Sequence, residues 1–136
     1  MMSLSLALYG LAALGTMIVA SLYLFGSVPT SGHREVLKKE GVEITPGLEG
    51  VLITLCRVFG AGLMASGISA LLFALAIEAS DPVLIKMRPL LIGLIIGVPC
   101  VIYPHRVETA TGVRMPWRSA AALLSVMLAG FATSIM

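Results

Sequence analysis

Charge is what this chain has least of. Only 12% of its 136 residues are charged, against about a quarter in ordinary soluble domains. A chain so poor in charge cannot cover a water-facing surface, so lipid is the natural solvent for most of it. Cysteine is scarce too. Cys56 and Cys100 both lie in apolar runs, where small thiols serve packing more often than redox chemistry. No basic segment precedes the first apolar run, and that run exceeds the roughly 7–15 apolar residues of a signal-peptide core. It therefore reads as a retained span. No GxSxG, HExxH, P-loop or CxxC occurs, and no carboxylate stands in the middle of an apolar run. The first absence removes the familiar catalytic templates and leans the reading away from an enzyme. The second weakens a proton-coupled pump or cation exporter, which would carry an acid inside the membrane. The net charge of +2 is too small to suggest a nucleic-acid partner.

What the chain does have is apolar length. It is 58% hydrophobic with a mean hydropathy of +1.02. A span needs about 20 apolar residues, and the sequence divides into four such runs. The expected fold is an all-α integral membrane protein, with four transmembrane helices in a compact bundle forming one domain over residues 1–136. The spans run from about Leu4 to Val28, Leu48 to Ile77, Val83 to Tyr103 and Trp117 to Met136. Pro29, Ser31 and Gly32 stop the first. Thr45 as N-cap and Pro46 at the first helical position open the second. Pro89 and Pro99 fall inside the third, where each should free a carbonyl, those of Ile85 and Ile95. Trp117 and Arg118 mark the interface before the fourth. Between the first two spans, HREVLKKE is read as one or two helical turns on the membrane surface. Glu78 and Asp81 are expected to pair with Lys86 and Arg88.

Topology follows from the cations. Arg34, Lys38 and Lys39 lie in the first loop and Arg106, Arg114 and Arg118 in the third, against Lys86 and Arg88 between them. The positive-inside rule puts the first and third loops in the cytoplasm and both termini outside. The compact size and short loops suit a bacterial inner membrane. A faint echo joins the same loops: His33-Arg34, Gly41-Val42 and Pro46 are matched by His105-Arg106, Gly112-Val113 and Pro116. Two related helical hairpins would produce it.

Small residues recur at helical spacing in every span. They are Ala12, Thr16 and Ala20; Gly62, Ser66, Ala70 and Ala74, with Ala61, Ala65 and Ser69 beside them; Gly93 and Gly97; and Ala121, Ser125, Ala129 and Thr133. Such ridges let helices approach in lipid. They suit a bundle, a homo-oligomer or a membrane partner protein equally.

One cation stands inside an apolar run. Arg57 lies roughly 14 Å along its helix from Leu48 at 1.5 Å per residue. An arginine there is costly and calls for a partner. The candidates are Tyr103, the Ile95 carbonyl and, two turns away, Glu49. Arg57, Tyr103 and Glu49 therefore form the candidate ligand-binding set, for a lipid-like or anionic ligand, with helix clamping as the alternative use of Arg57. No catalytic residue, cofactor or metal site is assigned. The surrounding stretch, RVFGAGLMASGISALL, resembles one helix of small four-helix membrane proteins of the DoxX-like kind, a resemblance that transfers no activity and no site. The leading expectation is a scaffold or accessory subunit in the bilayer, acting through helix packing. The alternatives are a small transporter or channel with Arg57 in its pathway, and a lipid-headgroup enzyme gathering His33, Glu35, His105 and Glu108 at the cytoplasmic face.

Overall fold

The computed structural model describes residues 2–136, and all regular structure among them is helical. The elements are α1 (Met2–Phe25), α2 (Ser31–Lys39), α3 (Pro46–Leu75), α4 (Val83–Lys86), α5 (Arg88–Thr111) and α6 (Trp117–Ile135). Four of them, α1, α3, α5 and α6, are long and apolar enough to cross a membrane. They form a ring in which α1 packs on α3 and α6, and α5 packs on α6 and α3. The α1–α3 contact is the most extensive and α3–α5 the least. Alternate helices run in opposite directions. One end of the bundle thus carries α2 and the α5–α6 turn, and the other carries both termini and α4.

Local chemistry explains the boundaries. Thr45 accepts a hydrogen bond from the Leu48 N–H at 3.3 Å, and Pro46 occupies the first turn of α3. The expected span from Val83 to Tyr103 is instead divided at Met87 and prolonged to Thr111. Pro89 falls in the first turn of α5, where its missing N–H has no intrahelical partner to lose. The Ile85 carbonyl is therefore not stranded inside a helix. Pro99 and Pro104 do lie within α5. The helix stops at Gly112, whose φ of 68° is the left-handed conformation that glycine reaches without strain. The polar stretch expected to be loop from Tyr103 to Arg118 is thus mostly helix. The echoed His105-Arg106 pair rides on α5, while His33-Arg34 sits on the separate, surface-lying α2.

Packing uses Ala12, Ala20, Ala70 and Ala74 of the expected ridges and replaces others. The buried face of α3 is Gly60, Leu63, Gly67, Ala70 and Ala74. It meets Ala12, Ala13 and Ala20 of α1, all fully buried. A Cβ on Gly60 would stand 3.0 Å from the Leu24 nitrogen and 3.1 Å from the Ala20 carbonyl oxygen. One on Gly67 would stand 3.1 Å from the Ala13 oxygen. Only glycine lets these backbones touch. A Cβ on Gly62 would meet nothing within 4 Å, and Ala61 and Ala65 also face outward. On α6 the buried residues are Met127, Gly130 and Ser134, one position off the expected ridge. Gly93 and Gly97 of α5 receive the side chains of Met127 and Leu124.

At the end with the termini the helices pack around Tyr9, beside a separate hollow of about 190 Å³. Tyr9 is 1% exposed, and its ring packs on Gly130. Its hydroxyl donates to the Lys86 carbonyl at 3.0 Å. Ser5 donates to the Gly130 carbonyl at 2.8 Å. Leu90, Ala70, Ala74 and Met127 complete this core. The expected ion pairs at this end do not form among the described residues. Asp81 accepts from the Glu78 N–H at 2.8 Å, Lys86 donates to the Ala79 carbonyl at 2.9 Å, and Arg88 lies 5.8 Å over the Phe73 ring.

Candidate functional site

The last carbonyls of any helix lack intrahelical donors, and α1 ends inside the apolar part of the sequence. Arg57 meets that need. Its guanidinium donates to the Tyr23 carbonyl at 3.4 Å and the Gly26 carbonyl at 3.2 Å. A cation at a helix C-terminus also answers the helix dipole. The arginine in α3 is thus engaged by α1, not by the Ile95 carbonyl or Tyr103 on α5. Glu49 pairs with Arg34 of α2 at 2.6 Å. Tyr103, on α5, is 64% exposed. The three candidate residues therefore stand in three different settings, and no hydrogen bond or ion pair among the described residues joins them.

The open space lies beside them, in the middle of the ring. A cavity of about 920 Å³ runs between the four long helices, from Met127 and Ala70 up to α2 and the α5–α6 turn. Its wall is mostly apolar: Val19, Leu63, Ile92, Ile96, Leu123 and Leu124 contribute to it. Cys56 and Cys100 line it as free thiols. Gly67, Gly93 and Gly97 also stand on its wall. Two hydroxyls in the apolar part, Thr16 and Ser66, donate to carbonyls of their own helices at 2.9 and 2.7 Å. They add little polarity to the wall. The lining is exposed at the cap, at Ser31, Arg114, Pro116 and Ser119, at Leu22 of α1, and also at Leu55, Phe59, Pro99 and Tyr103. The last four stand on α3 and α5, the loosest pair of the ring, so the cavity opens sideways there as well as at the cap.

Polar groups gather at one end only. Thr30, Ser31, Gly32 and His33 from the start of α2, and Arg114, Met115, Pro116 and Ser119 from the α5–α6 turn, cap the cavity. The two segments touch, since Gly32 abuts Met115 and the Arg114 carbonyl, and Lys39 donates to the Thr111 carbonyl at 2.8 Å. His33 shares a 2.9 Å hydrogen bond with the Thr30 hydroxyl. Burial pushes its imidazole pKa below the ordinary histidine value, which favours the neutral form. Neither ion pair among the described residues uses Arg114.

A single carboxylate builds the turn that carries Arg114. Glu108 stands beyond the apolar part of α5, which closes at Tyr103. It accepts from the Met115 N–H at 2.9 Å, the Trp117 indole at 3.0 Å and Arg118 at 2.7 Å. The Arg118 guanidinium, followed by the Met115 N–H, pulls its carboxyl pKa down to about 2. Arg118 also lies 4.6 Å over the Trp117 ring, and His105 meets the same ring edge-on at 4.9 Å. Of the four residues considered for headgroup chemistry, His105 and Glu108 thus share Trp117, His33 belongs to the cavity cap, and Glu35 is exposed on α2.

Sequence reasoning missed Tyr9, Glu108 and Arg114 as organising residues. A tyrosine two turns into an uncharged span, far from its interfacial end, needs an acceptor, and that is a usable signal. Arg114 looked like any loop cation until the turn folded over the cavity. No family model, curated protein or solved structure matches this chain.

Proposed function

We propose that this chain is a multi-pass membrane protein that shelters a lipid-like molecule inside its helix bundle, as a non-enzymatic holder or accessory subunit. The observation that carries the reading is the cavity of about 920 Å³, apolar along its length and polar at one end. A molecule with the same division of polarity would complement it. Ligand sites are commonly concave, mostly apolar and provided with a few convergent polar groups. Insertion with both termini outside and α2 in the cytoplasm agrees with the bias of the loop cations. The outward-facing Ala61, Gly62 and Ala65 offer a face for a second copy or a partner span.

A holder fits better than a channel. A path across the membrane needs two openings, and the packing of Tyr9, Ala12, Ala13, Leu90 and Met127 closes the end with the termini. An enzyme would need a nucleophile or base within hydrogen-bond reach of its partner; the hydrogen bonds of His33 and Glu108 instead go to Thr30 and to the turn.

The test is lipid retention. The protein is purified in mild detergent and its bound lipid quantified by extraction and mass spectrometry. Wild type is expected to retain lipid near one molecule per chain. Ala120→Phe and Ser66→Phe, which push rings into the cavity, are expected to lose most of it while keeping the fold. Equal retention by wild type and both filled variants would refute the reading.

A further inference from the structure

We infer that the molecule sheltered in the cavity is an anionic lipid, taken sideways between α3 and α5, with its charged head at Arg114 and its chains running toward Met127. The inference rests on the holder reading above and adds the chemistry and direction of the guest.

Three features carry it. The first is polarity. Hydroxyls in the deep part of the cavity are spent on their own helices, as Thr16 and Ser66 show. The residues left to meet a polar head stand at the α2 end, among them Ser31, His33 and Arg114. The second is the sign of the charge. Among the described residues, Arg114 is the sole charged one on the lining, and no acid lines the cavity with it. Glu108, which could have neutralised it, is held by Met115, Trp117 and Arg118. Burial disfavours the charged form of His33, which leaves Arg114 as the cation of the lining. A planar guanidinium suits phosphate or carboxylate oxygens, which can accept two parallel hydrogen bonds. The third is the route. Besides the exposed cap residues Ser31, Arg114, Pro116 and Ser119, the lining is exposed along the helices, at Leu55 and Phe59 of α3 and Pro99 and Tyr103 of α5. An opening in that place faces acyl chains and admits a lipid from the side, and the titration below separates that guest from a free anion entering at the cap.

The experiment uses the full chain in mixed micelles holding equal amounts of phosphatidylglycerol and phosphatidylcholine. The two lipids that stay bound are quantified by mass spectrometry. Wild type is expected to enrich phosphatidylglycerol about fivefold, the ratio that roughly 1 kcal/mol of ion pairing sets. Arg114→Gln is expected to abolish the enrichment, Arg114→Lys to keep part of it, and Arg106→Gln, outside the cavity, to keep all of it. Thermal unfolding of the variants checks their fold, and partial rescue by lysine separates charge from structure. Soluble glycerol phosphate is titrated in parallel. Equal retention of the two lipids, or an enrichment that survives in Arg114→Gln, overturns the inference and leaves lipid holding intact. Tight binding of glycerol phosphate that is unchanged in Ala120→Phe also overturns it, by assigning Arg114 to a free anion. Retention of neither lipid overturns both this inference and the reading beneath it.

Discussion

Replacing Arg57 with methionine keeps the bulk of the side chain and removes its two hydrogen bonds to α1. Those bonds, at 3.4 and 3.2 Å, are longer than the best charge-assisted ones. Well-formed hydrogen bonds to charged groups contribute about 1.5–3 kcal/mol, while polar contacts between membrane helices average nearer ~0.6 kcal/mol. A share of ~0.6–1.5 kcal/mol for each bond gives about 1–3 kcal/mol for the pair. An opposing effect acts on insertion. Taking an arginine out of a helix centre relieves about 2.5–3.5 kcal/mol of transfer cost. That relief is present in the inserted but unpacked helix as well, so it raises insertion without raising the stability of the packed bundle. Arg57→Met is therefore expected to unfold at lower SDS fraction in mixed micelles, with a loss of about 1–3 kcal/mol. Arg57→Lys, able to reach one carbonyl, should lose about half as much. Hydrogen exchange should rise over residues 22–28, where α1 ends, before it rises elsewhere. A methionine variant as stable as wild type, with unchanged exchange there, would refute the clamp.

Three other outcomes follow from the same geometry. Gly60→Ala drives a methyl to 3.0 Å from backbone on α1, and overpacking of this kind costs about 1–3 kcal/mol; Gly62→Ala, with open space around it, should stay within about 0.5 kcal/mol of wild type, and SDS titration compares the two. Tyr9→Phe leaves the Lys86 carbonyl without its partner and should loosen the end with the termini, by about 0.5–1.5 kcal/mol and by faster exchange in α4. Glu108 gives a pH signature: its folded carboxyl lies at about 2, below the ordinary 4.5, so its contribution is whole above that ordinary value and fades as pH falls toward 2. The chain has one tryptophan, and Trp117 donates to Glu108, so its fluorescence should shift over that window in wild type and stay flat in Glu108→Gln.

Helix number and approximate extent are legible in the sequence because apolar run length dictates them. The start of the second long helix is legible too, since Thr45 and Pro46 act locally. The third departs from expectation at both ends. Local proline rules flag Pro89 but do not say that the helix restarts there, and Pro104 suggests a stop that the Glu108 cluster overrides. The choice of Gly60 and Gly67 over Gly62 is not legible. All three stand on a helix rich in small residues, and only the position of α1 decides which face is inside. Arg57 is recognisable as needing a partner, yet its partners are backbone carbonyls, which carry no residue-specific signal. The cavity is invisible in the sequence for a related reason. It arises from a loose α3–α5 contact and from a turn folding back on α2, both properties of the assembled bundle.

The most direct measurement is an experimental structure of the protein crystallised from a lipidic mesophase doped with phosphatidylglycerol. The expected result is continuous elongated density between α3 and α5, with its head within hydrogen-bond reach of Arg114 and its tail beside Gly93 and Gly97. A bundle in which α3 and α5 close on each other, with side chains filling that space, would contradict the claim that the chain shelters a lipid.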